Sequence, residues 1–216
     1  MLLQISEVLT RAECAAIMEA LADEAVWTDG KSTAGGAARR VKANLQGNPS
    51  SPIVKGVCAK VEKALHAHPA FRAAAQPASI ARLLISQYSE GMEYGDHVDA
   101  AYMDGVRADL SFTLFLNNPD NYEGGALVID FAGHTDEFRA PAGSLVLYPS
   151  TTAHRVEAVP RGKRIAAVGW VRSKVRSAEA RAVLYDLETA IAETAEGPHR
   201  LRLSNIRNNL LRLFGD

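Results

Sequence analysis

The feature that most constrains the fold is a change of hydrophobic period between residues 80 and 171. Six segments in this stretch are short, rich in β-branched or aromatic residues, and bounded by Gly, Pro, Asn or Asp. They span residues 81–88, 110–116, 126–131, 144–148, 153–159 and 164–171. Because no helical pattern separates them, the sequence favours a sandwich or barrel over a parallel α/β sheet.

Helical patterns flank this stretch on both sides. Thr10 and Glu13 have the spacing of a capping box, and Pro52 is placed to open a second helix. Between them, residues 27–36 are rich in Gly, Thr and Asp and are predicted to form a loop. After residue 177 apolar residues return to helical spacing, in two runs separated by Gly197 and Pro198.

We therefore predict a mainly β chain with flanking helices, of the α+β class. Its predicted parts are an N-terminal helical and loop support region (1–79), a β core (80–175) and a C-terminal helical extension (176–216). The C-terminal helices are a candidate surface for oligomer formation.

The composition argues against several classes of function. The chain has 24 Lys and Arg against 25 Asp and Glu, a net charge of −1, which argues against a general nucleic-acid binder. Its apolar runs are shorter than the roughly 20 residues that a membrane helix needs, and residues 1–10 lack a signal-peptide pattern. The two cysteines, Cys14 and Cys58, are expected to be small buried thiols. We therefore expect a cytoplasmic protein that binds neither membranes nor nucleic acid.

Three residues form the candidate chemical site. His97 and Asp99 are two positions apart, so on an extended strand their side chains point to the same face. His154 opens a later strand-like segment and supplies a second imidazole. Two imidazoles and one carboxylate suit non-haem Fe(II) with open coordination positions, whereas zinc sites close at four ligands or keep one position open. Asp96 is a candidate hydrogen-bond partner for a ligating histidine.

Arg164 lies ten residues after His154 and opens an apolar strand-like segment. An arginine recognises a carboxylate through two parallel hydrogen bonds. In a barrel mouth Arg164 would hold an anionic cosubstrate. Two other functions remain open, a non-catalytic metal-binding protein and a metal-dependent hydrolase, but neither needs a buried arginine beside the metal.

Taken together, these residues resemble the Fe(II)- and 2-oxoglutarate-dependent dioxygenases. The sequence is most similar to the prolyl-hydroxylase-like branch, and within it to the bacterial PKHD-type hydroxylases associated with iron uptake. Matching segments run along nearly the whole chain. They are Trp27-x-Asp-Gly30, Thr33-Ala-Gly35, Val41-Lys-x-Asn44-x-Gln46, Gly91-Met-x-Tyr-Gly-x-His-Val-Asp99, Ala108-Asp-Leu-Ser111, Tyr122-Glu-Gly-Gly125, Pro141-Ala-Gly143, Leu145-Val-Leu-Tyr-Pro149, His154-Arg-Val156 and Arg181-x-x-Leu-x-x-Leu187.

The resemblance implies a double-stranded β-helix, or jelly roll, with helices packed outside it. It implies that His97, Asp99 and His154 bind Fe(II), and that Arg164 and Tyr88 hold the far carboxylate of 2-oxoglutarate. Dioxygen is then the oxidant, ascorbate a candidate reductant, and an unidentified substrate is hydroxylated as 2-oxoglutarate is decarboxylated to succinate.

The resemblance also changes one local interpretation. Residues 160–163, Pro-Arg-Gly-Lys, look like a hairpin turn. In a jelly roll, however, the strands that carry the last histidine and the arginine lie in opposite sheets. We therefore expect residues 160–163 to cross between the sheets.

Two pocket assignments remain open from the sequence. Lys42, Asn44 and Gln46 alternate, so on an extended segment they either line a substrate pocket or form a solvated edge. Trp170 either belongs to the core or walls the site near Arg164.

Overall fold

A computed structural model describes residues 1–33 and 38–216 of the chain. The described strands are β1 (Leu3–Ile5), β2 (Trp27–Asp29), β3 (Lys42–Ala43), β4 (Leu45–Gly47), β5 (Pro77–Tyr88), β6 (Glu93–His97), β7 (Tyr102–Met103), β8 (Val106–Arg107), β9 (Leu110–Phe115), β10 (Tyr122–Glu123), β11 (Leu127–Phe131), β12 (His134–Phe138), β13 (Leu145–Pro149), β14 (Ala153–Val156), β15 (Arg161–Gly162) and β16 (Arg164–Ser173). The described α-helices are α1 (Arg11–Ala20), α2 (Pro52–Ala67), α3 (Pro69–Ala75), α4 (Ala178–Glu193) and α5 (Pro198–Phe214). The fold is therefore mixed α+β and rich in strands.

The strands form two main antiparallel sheets. The larger has the order β1-β13-β9-β16-β5-β4-β2, and the smaller has the order β12-β11-β14-β6-β3. Two short ribbons, β10 with β15 and β7 with β8, lie outside them. The expected crossing is confirmed, because β14 belongs to the smaller sheet and β16 to the larger, and β15 pairs with β10 between them.

Successive side chains of the central strands alternate between two faces. One face packs in a core with the helices, and the other faces the space between the sheets. On β9, Leu110, Phe112 and Leu114 belong to the core that also contains residues of α1, α2 and α3. On the other face of the same strand, Phe115 joins a second cluster with Leu127 and Ile129 of the smaller sheet, among others. The period of two residues thus assigns one face of the larger sheet to the helices and the other face to a cavity.

The flanking helices form where their terminal residues predict. The capping box is present, since Thr10 Oγ1 accepts a hydrogen bond from the backbone of Glu13 and Glu13 accepts one from the backbone of Thr10. Pro52 is the first residue of α2, as predicted. In the C-terminal extension, α4 and α5 meet through a small cluster of Val175, Ala180 and Leu184, against which Leu210 and Leu211 of α5 pack. Within the described ranges no helix is long and apolar enough to cross a bilayer.

The predicted β segments are confirmed, and several further strands were not predicted. Each of the six segments overlaps a strand. The loop prediction for residues 27–36 is wrong at its start, because residues Trp27–Asp29 pair with β4 and Gly30–Thr33 form a 3₁₀ turn. The rest of that segment, with most of the Thr33-Ala-Gly35 motif, lies outside the described residues. Both cysteines are free thiols, Cys14 buried and Cys58 half-buried.

Candidate active site

A cavity of about 270 Å³ lies between the two sheets. Its lining comes from both sheets and from the segments that connect them. Among the lining residues are Lys42, Asn44, Gln46, Arg82, Leu84, Ser86, Tyr88, His97, Val98, Asp99, Met103, Ser111, His154, Val168 and Trp170. Most of the polar side chains singled out in the sequence therefore share one space.

The structure brings His97, Asp99 and His154 together at this cavity, and we call them the ligand cluster. Each offers one ligand atom, and these atoms lie within 4.8 Å of one another. His97 ends β6 and lies directly opposite His154 of β14 in the antiparallel register. Elsewhere in the described residues no other set of three His, Cys, Asp or Glu side chains meets this criterion.

Asp99 reaches the cluster in a way that the sequence did not predict. The strand ends at His97, so Asp99 comes from the segment that follows and not from the strand itself. Its side chain is almost buried, and its Oδ2 lies 3.7 Å from Nε2 of His154. The observed arrangement still turns the imidazole and the carboxylate to one point, as the two-residue spacing suggested.

Backbone carbonyls orient both imidazoles. Nδ1 of His97 lies 2.8 Å from the carbonyl oxygen of Gly95, and Nδ1 of His154 lies 3.0 Å from that of Thr152. Because a carbonyl only accepts, each Nδ1 carries the proton and each Nε2 lone pair is left for a metal ion. Asp96 does not take this role, since its exposed side chain pairs with Arg155 at 3.5 Å.

The hydroxyl of Ser111, a residue that was not predicted to belong to the site, holds the carboxylate of Asp99. Ser111 Oγ donates a 2.6 Å hydrogen bond to Asp99 Oδ2 and lies 2.9 Å from Ser150 Oγ. The sequence does contain one signal that marks Ser111, because this residue ends one of the matched motifs. Nothing in the local sequence, however, pairs Ser111 with a residue 12 positions earlier.

Burial keeps His97, the less buried of the two histidines in the cluster, neutral. Desolvation, followed by the nearby His154, lowers the pKa of His97 to about 4. The ring of His97 also stacks on that of Tyr94, with 3.6 Å between centroids. At neutral pH the imidazole is therefore unprotonated and able to bind a metal ion.

Arg164 is a buried cation that has no hydrogen-bond acceptor in the described part of the chain. It is 1% exposed, and none of its three guanidinium nitrogens has a hydrogen-bond acceptor among residues 1–33 and 38–216. Its guanidinium carbon lies 5.4 Å from the ring centroid of Tyr88 and 5.2 Å from that of Phe115. Gly125, at φ +62°, packs beside it, and a Cβ there would lie 3.1 Å from Arg164 Cδ. A buried cation of this kind calls for an anion.

Tyr88 links Arg164 to the cavity. The two residues are opposite each other in the register of β5 and β16. Tyr88 lines the cavity whereas Arg164 does not, so Tyr88 is the residue of this pair that an occupant meets first. Burial raises the pKa of Tyr88, which keeps the phenol protonated as a hydrogen-bond donor.

The segment of residues 42–46 crosses between the sheets and closes one side of the cavity. Its strand β3 pairs with β6 of the smaller sheet, and β4 pairs with β5 of the larger. Lys42, Asn44 and Gln46 are all buried and all line the cavity. The alternative left open by the sequence is thus decided in favour of a pocket wall over a solvated edge.

Trp170 also lines the cavity. Trp170 and Arg164 both lie on β16, and six positions separate them. Of the two roles that the sequence left open for Trp170, a core residue or a wall of the site, the structure supports the wall.

Comparison with known proteins adds family relationships to this geometry. Residues 83–172 match the model of the 2OG-Fe(II) oxygenase superfamily. The chain is 46% identical to a PKHD-type hydroxylase from Acaryochloris marina and 43% identical to one from Parvibaculum lavamentivorans. In both cases the similarity covers the whole of this chain and the whole of the relative.

Solved structures show a similar fold at lower identity. A prolyl-4-hydroxylase from Pseudomonas putida is 20% identical, with a TM-score of 0.57, over 80% of this chain and 92% of that one. A prolyl hydroxylase from Trichoplax adhaerens, solved with a hypoxia inducible factor peptide, is 14% identical, with a TM-score of 0.59, over 85% of this chain and 86% of that one.

Proposed function

We propose, since this chain belongs to the PKHD-type hydroxylases of the 2OG-Fe(II) oxygenase superfamily, that the ligand cluster holds its Fe(II) and that Arg164 and Tyr88 hold its 2-oxoglutarate. The chain is an Fe(II)- and 2-oxoglutarate-dependent dioxygenase that hydroxylates a substrate. Family membership favours this activity over the metal-binding protein and the hydrolase that the sequence left open.

One observation carries the assignment of the cosubstrate site. Arg164 is fully buried, and its guanidinium has no acceptor among the described residues. Folding such a group without an anion is costly, so the site is built for one. The carboxylate of 2-oxoglutarate that does not chelate the metal has the required charge and geometry for a guanidinium.

The donor set fits Fe(II). The ligand cluster offers two neutral imidazole nitrogens and one carboxylate oxygen, which leaves coordination positions for a cosubstrate and dioxygen. Bound Fe(II) and 2-oxoglutarate supply the oxidising chemistry, in which dioxygen is consumed, 2-oxoglutarate becomes succinate and carbon dioxide, and a substrate C–H becomes C–OH.

The chain's own residues bind the cosubstrate, orient the metal ligands and shelter the site from water. The carbonyls of Gly95 and Thr152 fix the imidazole orientations, and Ser111 fixes the carboxylate of Asp99. The phenol of Tyr88, which keeps its proton, would donate a hydrogen bond to the carboxylate held by Arg164. The two sheets enclose the site and limit the access of water, which strengthens each of these polar contacts.

Finer features of the fold belong to the same proposal. We infer that the two sheets form a jelly roll, with residues 1–79 as support, 80–175 as core and 176–216 as extension. The start of α4 at Ala178 supports the second boundary. In the support region, β1 to β4 contribute strands to both sheets, so this region is built into the core.

Three properties of the protein in the cell remain predictions of this proposal. A cytoplasmic location is supported by the two free cysteines. Association through the C-terminal helices is supported by exposed apolar residues on α5, among them Leu201 and Leu213. The link to iron uptake and the use of ascorbate rest on the family resemblance alone.

An anaerobic titration tests the proposed function. Metal-free protein is titrated with Fe(II), with and without 2-oxoglutarate, and followed by visible absorption and calorimetry. A weak visible charge-transfer band that requires both partners is expected. Metal binding that 2-oxoglutarate does not alter would contradict the cosubstrate site and leave only a metal-binding protein.

A further inference from the structure

Two buried polar residues beside Tyr88 have no role in the proposed function. Asn44 and Ser86 line the same cavity as Tyr88 and are 4% and 2% exposed. Ser86 lies two residues before Tyr88 on β5, so both side chains point to the same face of the strand. Because buried polar groups in proteins are hydrogen-bonded, the partners of these two residues indicate what they do.

Asn44 meets Ser86 through the segment that crosses between the sheets. It lies between β3, which pairs with the smaller sheet, and β4, which pairs with β5. Its amide Nδ2 donates a 2.7 Å hydrogen bond to Ser86 Oγ. An amide nitrogen only donates, so Ser86 Oγ is the acceptor in this bond. The hydroxyl proton of Ser86 is therefore available to another acceptor.

Gly30 leaves the space that Asn44 occupies. The N–H of Gly30 donates a 2.9 Å hydrogen bond to the carbonyl oxygen of Asn44. A Cβ at position 30 would overlap Oδ1 of Asn44 and lie 2.9 Å from that carbonyl oxygen. A residue larger than glycine would therefore displace Asn44. This contact joins two of the matched motifs, Trp27-x-Asp-Gly30 and Val41-Lys-x-Asn44-x-Gln46.

The phenol of Tyr88 is the next member of this hydrogen-bond chain. Burial raises the pKa of Tyr88, whereas the charge of Arg164 and side-chain hydrogen bonds with Ser86 and Asn44 oppose the rise. A hydrogen bond lowers the pKa of an acid when the neighbour donates to the atom that becomes charged. Ser86 and Asn44 therefore act as donors to the phenolic oxygen, and the phenolic proton is left for a further acceptor.

Arg164 determines which acceptor this is. It lies opposite Tyr88 in the register of β5 and β16, and its guanidinium carbon is 5.4 Å from the ring centroid of Tyr88. The proposed function places the far carboxylate of 2-oxoglutarate at this guanidinium. A carboxylate there is an acceptor for the phenolic proton as well as a partner for the arginine.

We propose that Asn44 and Ser86 are positioning residues that direct the phenolic proton of Tyr88 to the far carboxylate of 2-oxoglutarate, and that Gly30 provides the space for Asn44. The proposal rests on the proposed function, because it takes that carboxylate as bound at Arg164. Without the amide of Asn44, Ser86 Oγ is free to accept the phenolic proton, which then turns away from the cosubstrate.

The affinity for 2-oxoglutarate tests this assignment. Protein loaded with Fe(II) is titrated with 2-oxoglutarate without oxygen, and the charge-transfer band gives the Kd. Asn44→Leu and Ser86→Ala should each raise this Kd by about threefold to tenfold, as expected for one neutral hydrogen bond. Asn205→Leu, at an exposed position on α5, is the matched control and should leave it unchanged. An unchanged Kd in both cavity variants would overturn the proposal.

A double-mutant cycle with Tyr88→Phe shows whether Asn44 acts through the phenol. Tyr88→Phe keeps the ring and removes the hydroxyl. In this background Asn44→Leu should change the Kd for 2-oxoglutarate by less than about twofold, because no phenolic proton remains to be directed. If Asn44→Leu raises the Kd by the same factor with and without the hydroxyl, Asn44 does not act through Tyr88 and the proposal is wrong.

Two further readouts separate the possible failures. The Kd for Fe(II) without 2-oxoglutarate, measured by calorimetry, should not change in either variant, since neither residue belongs to the ligand cluster. If Asn44→Leu fails to fold, Ser86→Ala, which removes a single oxygen atom, replaces it in the cycle. If wild-type protein shows no band that depends on 2-oxoglutarate, the proposed function itself is wrong. If the band forms but the cycle shows no coupling, only the positioning role is wrong.

Discussion

Ser111 Oγ donates a 2.6 Å hydrogen bond to Asp99 Oδ2, and so β9 of the larger sheet fixes a carboxylate that completes a cluster on the smaller sheet. This contact joins the two sheets at the proposed metal centre. It sets the direction in which the Asp99 carboxylate faces the two imidazoles.

Replacement of Ser111 should weaken metal binding without unfolding the protein. Partners of this kind typically contribute 10- to 100-fold in metal affinity, so Ser111→Ala is expected to raise the Kd for Fe(II) by about tenfold or more. Anaerobic calorimetry measures it, with Ser204→Ala on α5 as the control. An unchanged Kd would show that the carboxylate is positioned without the hydroxyl.

Removal of Asp99 should abolish iron-dependent turnover. Asp99→Ala deletes one of three candidate ligands, and the strands that carry the histidines do not depend on it. Circular dichroism should show an unchanged fold, while succinate release falls to background. Asp130→Ala, which changes an exposed carboxylate on β11, should retain activity. Full activity in Asp99→Ala would rule out the cluster as the iron site.

The guanidinium of Arg164 should be required for tight binding of 2-oxoglutarate. Arg164→Lys is expected to weaken 2-oxoglutarate binding by about tenfold or more, because a lysine lacks the paired donors of the guanidinium. The affinity is measured from the charge-transfer band. Arg161→Lys, an exposed arginine on β15, should have no effect.

A second change at the same position separates binding from folding. In the ligand-free protein Arg164→Met removes a buried charge that has no acceptor among the described residues. We expect the free energy of unfolding in urea to rise by about 1 kcal/mol or more, while 2-oxoglutarate binding is lost. A destabilised variant would show that the guanidinium is balanced within the protein itself.

Lys42 should make the stability of the metal-free protein depend on alkaline pH. Its pKa falls from 10.5 to about 8, through burial and Arg82, while Asp99 and Asp29 oppose the shift and Tyr94 faces the ammonium. Between these values the unfolded chain holds a proton that the folded chain has released, so stability rises with pH. The contribution is up to about 3 kcal/mol.

The comparison with Lys42→Met isolates this effect. Unfolding in urea at pH 7.5 and at pH 10 is measured for both proteins. The wild type should gain stability relative to the variant over this interval, since the variant has no group there to titrate. If the free energy of unfolding changes by the same amount in both proteins, the ammonium group of Lys42 lies in water and not in the cavity wall.

Much of the fold was predictable because buried strands leave a strong local pattern. The segments at 110–116 and 164–171 became β9 and β16, central strands with a buried residue at nearly every position. The strand β12 was missed for the opposite reason. It lies at the sheet edge, and four of its five residues are polar or charged and exposed, so its sequence shows no apolar alternation.

The sequence by itself determined the residue types of the proposed chemistry, from His97, Asp99 and His154 to Arg164, because ligand type and spacing are local properties. Only the tertiary structure decided what surrounds them. Ser111 meets Asp99, and Lys42 shares a cavity with Arg82 and Trp170, through strand pairing and the packing of two sheets. Such contacts depend on the register of strands that are distant along the chain, and register is fixed by the burial of whole sheet faces, not by any local pattern.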